Sequence, residues 1–267
     1  MITLKPVRVD YRNNNTPILY DREIDEFARA VLEDYKPRLL REPGALNFQV
    51  FLESYLDVDL IFKDIYTDDP KRPVFGVCAF RDGTLKVFDK ENERVSNMLV
   101  RKDTVIIDNY VMESGREGLA AFTGFHEAGH FLIHQDVYRT EYKNQTGISE
   151  KKLSGMVYCR RDTVENFGSN KSTASEWTPR QWREHQADCF AASLAMPNST
   201  FVPLVSGFLH EHGVFRKSIV LGEDDDLDIL VKDLLPERIA EVYGVSKRAA
   251  SIKLIKSGFV ANTPIPM

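Results

Sequence analysis

The chain has little of what holds small secreted proteins or membrane proteins together. It contains three cysteines, Cys78, Cys159 and Cys189, and no two of them form a CxxC pair. An odd, widely spaced set excludes a disulfide framework and a zinc knuckle, and fits a reducing compartment. No apolar run approaches the roughly 20 residues a bilayer-spanning helix needs, so no membrane partner is expected. The opening, Met1 to Tyr20, carries Asn13-Asn14-Asn15 and Pro17 where a secretory signal would be continuously apolar, so a cytoplasmic location is expected. Basic excess is missing too. A net charge of −5 provides no general attraction to nucleic acid and leaves only a local patch to consider. With 43% apolar and 28% charged residues, the 267-residue chain can bury one sizeable core or two modest ones.

What stands out against this background is Phe125-His126-Glu127-Ala128-Gly129-His130, followed downstream by Glu184-His185-Gln186-Ala187-Asp188. An HExxH string occurs by chance in about one shuffled chain in a hundred, so the string alone decides little. Its context decides more. Ser114-Gly115-Arg116-Glu117 has the form of a capping box, and Leu119, Phe122, Phe125, Ala128, Leu132 and Ile133 then recur at helical spacing. On such a helix His126 and His130 share one face and can reach one ion, while Glu127, about 100° away, can lean toward solvent on that ion. In the second run, Thr178 is a candidate N-cap with Pro179 at the first helical position, and Met196-Pro197 is a stop. Glu184 and Asp188 lie four apart on one face of that helix. Glu184 is the candidate third metal ligand, and Asp188 the acceptor for the free N–H of a liganding imidazole, assigned to His126.

HEAGHFLIH with EHQADCFAASLAMP resembles the ImmA/IrrE family of zinc-dependent metallopeptidases, of the gluzincin type. The resemblance is strongest over the two helices and covers about half the chain. It implies His126, His130 and Glu184 as metal ligands, Glu127 as general base, Asp188 as supporting acid and one Zn²⁺ per chain. It also implies an intracellular endopeptidase whose protein substrate is a helix-turn-helix transcriptional repressor. The polar stretch between the two helices is longer here than in typical members. The alternative is a non-proteolytic regulatory module in which zinc is structural or sensory and a repressor or DNA is bound without being cut.

The expected fold class is α+β, a small mixed or antiparallel sheet packed on the His126–His130 helix and followed by a mostly helical C-terminal part. Residues 1–20 read as an extended arm, 21–200 as the metallopeptidase domain with a polar insertion at about 136–177, and 201–267 as a helical region. A helix is expected over Asp21 to Tyr35, another after Pro43, and an alternating segment from Val58 to Phe62. Strands follow at Val74 to Phe80, Leu85 to Phe88 and Thr104 to Asn109, with Asp82-Gly83 as a tight turn between the first two. By the resemblance, Thr104 to Asn109 is the edge strand on which an extended substrate would pair. The insertion reads as a cleft-flanking lid or as disorder, and Tyr158 and Arg180 are candidate donors to the oxyanion.

Glu223-Asp224-Asp225-Asp226 with Asp228 lacks EF-hand spacing and reads as a solvated loop. The tail from Pro236 to Phe259 fits two helices about Gly244-Val245-Ser246, either an αα-hairpin packed on the core or a helix-turn-helix. Lys247, Arg248, Lys253 and Lys256 are its basic residues. His134 falls two turns beyond His126, about 12 Å away by helical rise, and reads as a helix-end or surface residue. His185 points away from the Glu184 face, with contact to substrate as its minority reading, and His210 and His212 read as solvent-facing.

Overall fold

A computed structural model describes residues 9–10, 16–71, 73–143, 156–160 and 177–261, and shows a mixed α+β fold. Helix α1 (Asp21–Tyr35) buries Ile24, Phe27, Ala28, Val31 and Leu32, one apolar stripe at helical spacing. Phe48–Val50 (α2) continues into a wider turn at Phe51–Tyr55. Asn47 starts it by accepting the Val50 N–H at 3.0 Å.

The two short strands β1 (Val9–Asp10) and β2 (Thr16–Pro17) pair with each other ahead of α1. The main sheet then takes β3 (Asp59–Lys63), β4 (Val74–Ala79), β7 (Thr104–Asp108) and β8 (Met156–Arg160), in the order β3-β7-β4-β8. The β3–β7 pair is parallel, and β4 is antiparallel to both of its neighbours. Strands β5 (Gly83–Asp89) and β6 (Arg94–Val100) form a separate antiparallel hairpin.

This topology corrects two expectations. Asp82-Gly83 does not join paired strands, because β5 pairs with β6 and β4 pairs with β7 and β8. Asp82 instead accepts the backbone N–H of Lys102 at 2.8 Å, tying the β4–β5 connection to the β6–β7 connection. Thr104–Asp108 is not an edge strand either. It lies between β3 and β4 and is buried throughout, so its backbone groups are already used. The edge beside β4, among the described residues, is β8, which comes from the polar insertion. The rest of the insertion contributes α4 (Gln135–Lys143), while 144–155 and 161–176 lie outside the described residues.

The sheet separates two apolar layers. Val77, Ala79 and Ile106 face the β5–β6 hairpin through Leu85, Val87 and Val100. Cys78, Phe80, Val105 and Ile107 face the helices, where the main core lies. That core takes in α3 (Glu117–Gly129), α5 (Pro179–Ala195) and α6 (Asn198–Glu211). It also takes in α8 (Leu235–Tyr243) and α9 (Lys247–Lys256), so the C-terminal helices share the core of the site helices. No single helix among the described residues is long and apolar enough to cross a membrane.

The acidic run caps a helix. Asp224 accepts the N–H groups of Asp226 and Leu227, both at 3.1 Å, and starts α7 (Asp225–Ile229).

The tail packs on the site helix at one tight point. Gly118, in the first turn of α3, leaves no room for a side chain, since a Cβ there would lie 2.3 Å from the Ser246 nitrogen. The obstruction is backbone in the α8–α9 turn, which cannot yield as a side-chain tip would. Gly118→Ala is therefore expected to destabilise the fold by about 1–3 kcal/mol despite the better helix propensity of alanine. Gly207→Ala in α6, where nothing lies within 4 Å, is expected to stabilise by about 0.4–1 kcal/mol. Thermal unfolding of the two variants beside the parent checks both signs.

Candidate metal centre

Two helices build the site, and a glycine lets them meet. A Cβ on Gly129 would lie 3.0 Å from the Ala187 Cα, so α3 and α5 cross in near backbone contact there. Gly129 stands beside His130, and Ala187 stands between Glu184 and Asp188. The crossing therefore brings His126, His130, Glu184 and Asp188 together. Local sequence supports each helix. In α5, Thr178 Oγ1 accepts the Gln181 N–H at 3.3 Å and Gln181 Oε1 accepts the Thr178 N–H at 2.9 Å, a reciprocal capping box behind Pro179. In α3 the expected Ser114 cap is not used. The helix begins at Glu117 after Arg116, and Glu117 instead accepts the Gly115 N–H at 3.0 Å. Gly115 adopts φ +85°, a left-handed turn that breaks the approach to the helix.

His126, His130 and Glu184 each offer one ligand atom, and these lie within 4.8 Å of one another in a fully buried setting. The two imidazole Nε2 atoms are 3.0 Å apart, and Glu184 Oε2 is 3.4 Å from His126 Nε2 and 3.8 Å from His130 Nε2. Asp188 Oδ1 lies 2.7 Å from His126 Nδ1, the nitrogen turned away from the cluster. Such a contact fixes the ring's tautomer and orientation.

The far side of His130 is held by a relay that sequence reasoning missed. His130 Nδ1 lies 3.1 Å from His134 Nδ1, and His134 Nε2 lies 2.8 Å from Gln186 Oε1. Gln186 in turn donates to the Pro17 carbonyl at 2.7 Å, which anchors the relay to β2. His134 is thus fully buried, which overturns its helix-end or surface reading. The wider helical turn at His130–His134 forms part of its setting. The signal for it in the sequence is the His126, His130, His134 spacing at i, i+4 and i+8, which continues one helical face.

Glu127 is completely buried, and neither of its oxygens has a hydrogen-bond partner; the same holds for both oxygens of Glu184. Burial pushes the Glu127 carboxyl up to about 8, against the pull of His126 and with the Glu184 charge adding to the rise. Burial also works against the charge on Glu184, but the two imidazoles outweigh it and hold that carboxyl below the usual range. His130 is pushed down to about 4, chiefly by burial, and so stays neutral with a lone pair to offer. Buried carboxylate oxygens without hydrogen-bond partners, beside two converging imidazole nitrogens, are costly unless a cation completes them. The donor set fits a metal ion of the two-imidazole, one-carboxylate type.

Of the oxyanion candidates, Arg180 Nε is 3.9 Å from Glu184 Oε1 on a half-exposed side chain, while the Tyr158 side chain lies outside the described residues. His185 does not join the centre but contacts Asp21, at 2.8 Å. No known family model matches this chain, and no curated protein is significantly similar to it.

The supporting contact can be tested directly. Asp188→Ala is expected to weaken metal binding about 10–100-fold without removing a ligand. Competition with a chromophoric chelator measures it.

Proposed function

We propose that the protein is a zinc-dependent metallo-endopeptidase. The supporting observation is the pairing of an incomplete His126–His130–Glu184 donor set with a buried, unpartnered Glu127 on the same helix. A structural zinc is closed by four protein ligands and needs no base, whereas three ligands with a carboxylate alongside suit hydrolysis. A zinc ion held there supplies Lewis acidity to water and to a substrate carbonyl. Everything else falls to the chain. His126 and His130 bind as neutral donors, Asp188 and the His134–Gln186 relay hold their rings, and burial excludes bulk solvent. Glu127 takes the proton from attacking water and returns it to the departing amine. With no hydrogen-bond partner of their own, both Glu127 oxygens are available for that task.

The substrate class is an extended peptide segment. Among the described residues strand β8 is the edge beside β4, with Cys159 opposite Gly76, and Gly76 faces Glu127. A segment added alongside β8 would run past the site, with backbone pairing giving affinity. The resemblance of the two helices to ImmA/IrrE peptidases points to a helix-turn-helix repressor as the protein that supplies it.

No specific observation favours the non-proteolytic reading. Lys253 in the tail is only 7% exposed, with its ammonium 5.7 Å from the Phe201 ring centroid, and Lys247 is paired with Glu237 at 3.1 Å. Lys253 is therefore not presented for DNA phosphates, and Lys247 already has an acidic partner.

The test is metal content beside cleavage. The purified protein should contain zinc and cut a candidate repressor, and a chelator should stop it. Glu184→Ala and His130→Ala should each lose both metal and cleavage. Full activity in zinc-free protein would refute the assignment.

A further inference from the structure

Asp21, the first residue of α1, meets His185 and Cys189, which stand four apart on α5. His185 Nε2 is 2.8 Å from Asp21 Oδ1 and 3.4 Å from Cys189 Sγ, and all three donor atoms fall within 4.8 Å of one another. A His–Asp pair alone is an ordinary surface contact and requires no thiol. Here a sulfur approaches the same imidazole nitrogen that already contacts the carboxylate, so nitrogen, oxygen and sulfur converge on one point.

We propose that Asp21, His185 and Cys189 form a second metal site, selective for a thiophilic divalent ion such as zinc. The inference goes beyond the peptidase reading and does not depend on it.

Tetrahedral zinc, with bonds of about 2.0–2.3 Å, places neighbouring donors roughly 3.3–3.7 Å apart. The two distances given above lie within an ångström of that range, and no pair of donors is more than 4.8 Å apart. The His185 ring is held in place, its centroid 4.8 Å from that of Trp177 and 6.2 Å from that of Trp182. The site also has a way in. Asp21 and Cys189 line a cavity of about 390 Å³, whose wall includes Lys253 and Lys256. That space admits the ion and leaves room for water at a fourth position.

Burial, Asp21 and Asp188 oppose a charge on the Cys189 thiol, and Lys256 favours it. The Lys256 ammonium, 3.9 Å from Cys189 Sγ, favours the thiolate before the ion arrives, and its flexible stem can withdraw into the cavity. Burial opposes thiolate formation, so the ion must displace the thiol proton to solvent, and affinity rises with pH. Occupancy clamps α1 to α5 at positions adjacent in sequence to Glu184 and Asp188. A metal level outside the catalytic centre would thereby bear on ligand placement within it.

Cobalt(II) provides the probe, because a thiolate ligand gives a near-ultraviolet charge-transfer band and the His126–His130–Glu184 site contains no sulfur. Titrating the full-length protein with cobalt should produce this band. Cys189→Ser should lose it and bind one equivalent of metal fewer, whereas His130→Ala should keep it. Asp21→Asn, an exposed change with little risk to folding, should weaken cobalt binding at this site about tenfold or more. No band at saturating cobalt, or an undiminished band in Cys189→Ser, would overturn the proposal. The peptidase reading fails on different evidence, the absence of cleavage with the band intact.

Discussion

Glu127→Gln is expected to reduce peptide hydrolysis by about 10²–10⁴-fold, the range a positioned general base contributes, while zinc content stays at the parent level. Glutamine keeps the volume and the fit against β4 but cannot accept a proton. The metal ligands are untouched. The same substitution should also change the pH dependence of stability. In metal-free protein, the folded Glu127 keeps its proton until about pH 8, whereas the unfolded chain releases it near the ordinary glutamate value of 4.5. Between those values the native state binds more protons than the unfolded state, so stability falls as pH rises, with a limit of ~1.4 kcal/mol per pH unit. Glutamine carries no such proton. Metal-free Glu127→Gln should gain on the parent progressively from pH 5 to pH 8 in denaturant unfolding, and the two should converge below pH 4.5. An inactive variant that had also lost its zinc would point to misfolding of the site instead.

Much of this centre was legible in the sequence, for a physical reason. Helical period and capping are local, so α1, α5 and the shared face of His126 and His130 follow from residues within a few turns of each other. Even Asp188 could be assigned to His126, because the i, i+4 step from Glu184 fixes where its carboxylate emerges. Strand order is not local. Thr104–Asp108 reads as a strand on its own residues, but whether it lies at an edge depends on β3 and β4, which pair on either side of it from elsewhere in the chain. Strand β6 was missed because only part of one face is covered, with Leu99 87% exposed, so alternation is weak. Strand β8 sits inside a polar insertion whose composition masked it. The His134–Gln186–Pro17 relay joins three separate segments and becomes visible only once α3 and α5 are crossed. Gly76 belongs with these. Nothing around it in the sequence marks it as part of the site.

Gly76→Ala is expected to cost about as much activity as losing a positioned catalytic contact, while removing none of the proposed catalytic groups. A Cβ at position 76 would stand 2.5 Å from Glu127 Oε1 and 2.9 Å from Thr123 Cγ2. The carboxylate must therefore swing away. Misplacement of a reacting group by ~1 Å costs about 10²-fold, and kcat should fall by that order with zinc content preserved. Stability should suffer less than in Gly118→Ala, since here the obstruction is partly a flexible side-chain tip, and alanine regains about 0.5–1 kcal/mol of strand entropy over glycine. Glu127→Asp offers a way to separate steric displacement from general disruption of β4. Shortening the side chain by one methylene withdraws the carboxylate from the new Cβ, so the double variant should lose less than the product of the two single losses. Strict multiplication of the two effects would mean that the contact between β4 and the base does not set its position, and that the close approach of Gly76 serves packing alone.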